Sequence, residues 1–131
     1  MKCRGLDGRE YHIEEKRYKS QGDDLNKSSL HLLARKLIKS IFPFDVLLEE
    51  VPLPSTRLFA DFLLPLPRLV IEVHGEQHYK FNKLFHKDST AFAESVFRDK
   101  LKIEWCNHNN IKLIELPYNE SEDEWRNRIN S

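Results

Sequence analysis

The rhythm of apolar and polar positions changes several times along the chain, and each change predicts an element. Residues 1–25 are polar, with Tyr11, Ile13 and Tyr18 as their sizeable alternating apolar positions. This pattern predicts an N-terminal arm with one strand near residues 10–18. Such an arm either docks loosely, grips a partner or frays, as terminal segments do unless tied down. From Asn26 the period lengthens. Leu30, Leu33, Ala34, Leu37, Ile38 and Ile41 form one apolar stripe at helical spacing. Asn26, Ser28 and Ser29 offer N-caps, and Pro43 stops the helix at Phe42. Arg35, Lys36 and Lys39 lie off the stripe and are expected to face water.

Three strands follow, separated by proline-rich turns: residues 45–51 ended by PLPS, 57–64 ended by PLP, and 68–74 ended by Gly75. The last reads RLVIEVH, dense enough in branched apolar residues to be buried on both faces. A loop leads to a second helix over residues 90–107, with Ala93, Val96, Phe97, Leu101 and Trp105 as its expected buried stripe. IKLIEL gives a fourth strand, and Ser121 with Glu124 forms a capping-box signature for a short final helix. The order predicts an α/β fold in which a mixed central sheet is flanked by helices. The crossover from the third strand to the fourth predicts a parallel pair.

Composition narrows the class. With 131 residues, 40% of them hydrophobic and 32% charged, the chain suits one globular domain over residues 26–131, preceded by the arm. No apolar run approaches the ~20 residues of a membrane span, and the first residues lack the apolar core of a signal peptide. Two cysteines, Cys3 and Cys106, exclude a disulfide framework and a four-cysteine zinc site. An intracellular location is expected, in the cytoplasm or, for a phage-encoded chain, the host cytoplasm. Net charge is zero but uneven. Residues 1–40 carry ten Lys/Arg against six Asp/Glu, whereas residues 41–79 carry two against six. An acidic middle between less acidic flanks suits a cation site beside phosphate-binding surfaces, though the imbalance is small enough to arise by chance.

The chemistry concentrates in RLFADFLLPLPRLVIEVHGEQHYKF. Asp61 lies inside one apolar strand and Glu72 inside the next. A carboxylate buried in a strand is costly unless it is paired or holds a metal. Two brought side by side repel unless a cation sits between them, and hard oxygen ligands in open geometry suit Mg²⁺, with Mn²⁺ as a substitute. His74 follows Glu72 by two, so both point to the same face of a strand. Structural roles compete with these. Asp61 has Arg57 and the proline turn nearby, Glu72 has Arg68 or Lys112, and His74 has ordinary packing.

Order and spacing then become informative together. An acidic residue in one strand, Glu-x-His in the next, a glycine, and RDKLK in the following helix resemble the PD-(D/E)xK nuclease superfamily. Within it they are most similar to the very-short-patch-repair branch. The resemblance covers roughly residues 28–117 and implies a restriction-endonuclease-like core of helix, three strands, helix and strand. It implies a magnesium-dependent endodeoxyribonuclease that nicks or cleaves duplex or branched DNA. Carried over position by position, Asp61 and Glu72 would hold the metal, and His74 would replace the usual lysine as base or water-orienting group. His78 would assist at the scissile phosphate, and Asp99 would orient a histidine or a metal water. Asp99 is equally placed to be a solvated helix residue or an i,i+3 partner of Lys102.

The first helix, SSLHLLARKLIKSI, lacks the glutamate of that branch, with Glu49 or Glu50 as the candidate replacement. The cysteine-bearing insert and structural zinc of the repair enzymes have no counterpart either, so mismatch repair is not implied. Lys80, Lys83 and Lys87, interleaved with Tyr79, Phe81 and Phe85, and Lys100 with Lys102 are candidate DNA contacts. Double-strand cleavage would call for a second copy of the chain. Two other readings stay open: a catalytically silent DNA-binding module on the same fold, and a zinc hydrolase using His74 and His78. The second is disfavoured because the zincin spacing needs both histidines on one helix face.

Overall fold

A computed structural model of the chain describes residues 1–21, 26–75 and 89–131. The elements run β1 (Lys2–Arg4), β2 (Glu10–His12), α1 (Glu15–Tyr18), α2 (Ser29–Ile41), β3 (Leu48–Pro52), β4 (Phe59–Leu64), β5 (Leu69–His74), α3 (Ser89–His108), β6 (Lys112–Pro117) and α4 (Glu122–Asn130). The central sheet has the order β3-β4-β5-β6. β3–β4 and β4–β5 are antiparallel, and β5–β6 is the expected parallel pair, joined by the α3 crossover. No helix among the described residues is long and apolar enough to cross a membrane.

Two of the helices begin where the sequence provides a cap. The Ser28 hydroxyl accepts the His31 amide and opens α2, and the reciprocal Ser121–Glu124 capping box opens α4. The α2 stripe then packs Ala34, Leu37 and Ile38 onto Phe62, Leu64, Ile71, Ile114 and Leu116 of the sheet, with Trp125 and Ile129 of α4. The opposite face packs Leu48, Val51, Ala60, Leu63 and Val70 against Trp105 and Cys106 of α3.

Three expectations need correction. Arg35 does not face water: it is 4% exposed and bonded to Glu49. The predicted α3 stripe holds only in part: Trp105 is buried and Leu101 packs against the core, but Ala93 and Phe97 are exposed. The sheet contacts of α3 come from its C-terminal half, where Trp105 and Cys106 are buried. The N-terminal arm is no loose appendage. β1 and β2 form an antiparallel hairpin, and Cys3 and Ile13 are buried in the same cluster as Trp105. Asn109, 6% exposed, fastens the hairpin. It accepts the Arg4 amide at 2.7 Å and donates to the Arg4 carbonyl at 2.9 Å. An Asn in a helix-ending run gives no sequence signal of that role.

The sheet is irregular at one place. Leu48 and Val51, three residues apart on β3, face the same cluster, as do Ala60 and Leu63 on β4. Strict alternation forbids this. Between them stands Glu50, whose φ of 50° is left-handed. The register pairs Glu49 with Phe62 and Val51 with Ala60, so Glu50 falls opposite Asp61. A residue in this conformation shifts the side-chain phase of a strand.

Candidate functional site

The ordinary β4–β5 ladder runs from Leu64–Leu69 to Phe62–Ile71. The next pair in that register would be Asp61 with Glu72, and there side chains take over the hydrogen bonding. The Asp61 amide donates to Glu72 Oε2 at 2.7 Å, and the Val73 amide donates to Asp61 Oδ2 at 2.9 Å. Each carboxylate thus accepts from the backbone of the other's strand. This fixes both side chains and brings two acidic groups together at the point where the strands part. Strand alternation puts Glu72 on the α3 face of the sheet, since Ile71 packs against the α2 side.

Glu72 is 2% exposed. Burial pushes its carboxyl up to about 7, the charge of Asp61 pushes the same way, and the Lys102 ammonium with the Asp61 amide opposes them. Lys102 Nζ lies 2.5 Å from Glu72 Oε1, reaching it from α3. The buried Cys106 thiol stands close enough to be affected: burial first and the Glu72 charge second raise it to about 12. It is therefore an inert packing group, as a buried thiol in apolar surroundings should be.

His74 is 5% exposed and lies on the same face as Glu72. Its Nδ1 is 3.8 Å from Glu115 Oε2. The parallel ladder sets Glu115 beside Glu72, a neighbour for which the sequence carries a signal. VIEV in β5 and LIEL in β6 share one pattern, and aligning them as parallel neighbours pairs the two glutamates.

The structure therefore brings together Asp61, Glu72 and His74, and adds Lys102 and Glu115. Lys102, expected at the surface or on a phosphate, is instead the cation of Glu72. Asp99 is half-buried on α3, and Lys100 is exposed there. His78, Lys80, Lys83 and Lys87 lie outside the described residues. Glu49 is not available to replace the missing first-helix glutamate. It accepts from Ser20 Oγ at 2.5 Å and Arg35 Nε at 3.1 Å, and lies 2.6 Å from His31 Nε2. Burial raises its carboxyl, but the hydrogen bonds from His31, Ser20 and Arg35 outweigh that and hold it at about 2. The His31 ring in turn stacks on Phe62, with centroids 4.4 Å apart.

The donor set has a definite chemical character. Among the described residues no three His, Cys, Asp or Glu side chains converge as a ready-made metal cage. Two facing carboxylates suit Mg²⁺, which keeps several waters and needs one or two protein carboxylates. They do not suit a structural zinc site, which needs four protein ligands.

Comparison with known proteins adds relatives but no activity. The chain is similar to uncharacterized protein 307L of Invertebrate iridescent virus 6, 48% identical over 62 residues, which are 47% of this chain and 32% of that protein. It is also similar to uncharacterized protein 033L of Invertebrate iridescent virus 3, 39% identical over 67 residues, 51% of this chain and 34% of that protein. The matched segment thus spans about a third of the length of these curated relatives. No family model matches the chain. No solved structure matches it either.

Proposed function

We propose that the chain is a metal-dependent DNA endonuclease with a restriction-endonuclease-like core, hydrolysing phosphodiester bonds at the Asp61–Glu72 pair. The observation that carries this reading is the exchange of backbone amides between those two carboxylates where β4 and β5 part. A fold stabilised only by packing has no reason to set two acids against each other, one of them 2% exposed. Asp61 and Glu72 would hold Mg²⁺, and a bound divalent ion supplies charge neutralisation and a more acidic water. The chain's own residues do the remainder. Lys102 holds Glu72 in place and offsets its charge while the site awaits its substrate. His74, fixed near Glu115, presents an imidazole on the same face, where it can orient water or accept a proton.

One observation favours a second reading, a catalytically silent DNA-binding module: Lys102 already neutralises Glu72, as it would in a purely structural ion pair. A supercoiled-plasmid assay with Mg²⁺, Mn²⁺ or EDTA separates the two. The endonuclease reading expects metal-dependent nicking by the wild type and at least a hundred-fold loss in Asp61→Asn and in His74→Ala. Calorimetry on the same proteins should show Mg²⁺ binding that Asp61→Asn abolishes. Wild-type activity in Asp61→Asn would sink the assignment. Absent cleavage together with absent Mg²⁺ binding would favour the silent module, which expects DNA binding that ignores Mg²⁺ and survives loss of Asp61.

A further inference from the structure

Phe44 is 99% exposed, an extreme value for the largest class of apolar side chain. It stands in the turn between α2 and β3, on the rim of a cleft of about 390 Å³ that is also lined by Lys19, Lys39, Phe42 and Asp45. Lys19 is shared with a neighbouring cleft of about 380 Å³, whose lining includes Arg17, Lys27, Arg35, Glu49 and Glu50. Among the described residues the two clefts carry five cations against three acids. Arg35 is engaged with Glu49 and Lys27 with Glu50. Arg17, Lys19 and Lys39 make no ion pair among the described residues; Arg17 and Lys19 are exposed and Lys39 is half-buried. The second cleft is lined in part by Glu50, which the β3–β4 register places opposite Asp61.

We infer that these adjoining clefts form a groove for a single-stranded segment of DNA, with a base stacked on Phe44 and Lys19 and Lys39 on its phosphates. An exposed aromatic between lysines matches the combination that single-strand binders use. It suits an unpaired base, because a base within a duplex already has both faces stacked and must be pulled out at a cost. The groove rests on the nuclease reading in one respect, that the bound strand belongs to the substrate and runs toward Asp61. A branched or flapped substrate would then be favoured over a plain duplex.

Fluorescence anisotropy in EDTA, with a labelled oligothymidylate, a duplex and an oligouridylate as probes, tests this. Wild type should bind the single strand. Phe44→Ala should weaken that binding about ten-fold, the value of one stacked base, and leave duplex binding unchanged. Lys19→Glu/Lys39→Glu should weaken it further and lower the salt slope by about 1.4, at ~0.7 per single-strand phosphate contact. Circular dichroism melts should be unchanged for Phe44→Ala, whose side chain is solvated. Wild-type affinity in both variants, or no single-strand binding by wild type, overturns the groove. Tighter binding of the oligouridylate overturns its assignment to DNA. If Phe44-dependent binding is found and no cleavage ever is, the groove stands and the nuclease reading falls; cleavage indifferent to Phe44 gives the reverse.

Discussion

At the scale of single residues, Glu72 and Lys102 form the pair on which the site turns. Removing Lys102 leaves Glu72 two courses: to stay ionised in a buried position without its cation, or to take up a proton. The second is accessible, because burial and Asp61 already raise the carboxyl to about 7. Breaking a buried pair commonly costs ~3–5 kcal/mol, and the proton route should hold Lys102→Met to the bottom of that range or just below it, about 2–3 kcal/mol. Denaturant midpoints at neutral pH measure it. The double variant Glu72→Gln/Lys102→Met should lie within about 1 kcal/mol of wild type, since no uncompensated charge remains. An unchanged midpoint in Lys102→Met alone would show that the ammonium contributes nothing to Glu72. Neither partner announced the other in the sequence. Glu72 was legible because a carboxylate inside RLVIEVH is anomalous, whereas a lysine on a helix is the commonest of surface residues and its reach across to β5 is a property of the packing. Asp61 and His74 were legible for the same reason as Glu72, each being a polar residue embedded in an apolar strand.

At the scale of elements, a strand and a helix are locked by charge as well as by apolar contact. Glu49 on β3 gathers Ser20, His31 and Arg35, and its carboxyl sits at about 2, below the ordinary 4.5. A depressed carboxylate contributes stability that is fully present above its unfolded pKa and lost as pH falls through its folded one. The advantage of wild type over Glu49→Gln should therefore be complete above about pH 4.5 and shrink steadily toward pH 2. Melting temperatures of the two proteins across that window test it, and parallel curves would mean that Glu49 is not the titrating group. The helix itself was legible, its Ser28 cap and its stripe being local signals, although Leu33 of that stripe is exposed. The inward turn of Arg35 was not, because a long side chain beside an apolar stripe points either way until an acid appears opposite it. α3 shows the converse. Its C-terminal half is set by Trp105 and Cys106, but Phe97 is 65% exposed, so counting apolar residues at helical spacing overstated how much of it the sheet covers.

At the scale of the whole molecule, the polar arm proves to be part of the core. Its few apolar residues are spaced to reach inward: Cys3 from β1 and Ile13 just past β2 are buried at 8% and 3% exposure beside Trp105. Hydrophobic counts alone miss this, because two or three well-placed side chains suffice when backbone bonds supply the rest of the attachment. The N-terminal ammonium donates to the Ile13 carbonyl at 2.9 Å, and Asn109 grips both polar groups of Arg4. Deleting residues 1–13 removes two buried apolar side chains, worth roughly 1.5–3 kcal/mol each. It also strands Asn109, whose amide loses hydrogen bonds worth about 1 kcal/mol apiece. A loss of about 4 kcal/mol or more is a large share of the ~5–15 kcal/mol that holds a domain of this size together. The truncated chain should melt much earlier, and its tryptophan emission should shift to the red as water reaches Trp105 on the uncovered face. Loss of the far-UV signal as well would mean that the sheet cannot persist without the hairpin. A truncated protein with unchanged melting temperature and emission would return the arm to the loose appendage that its polar composition predicted, and would remove Asn109 from the list of residues that matter to the fold.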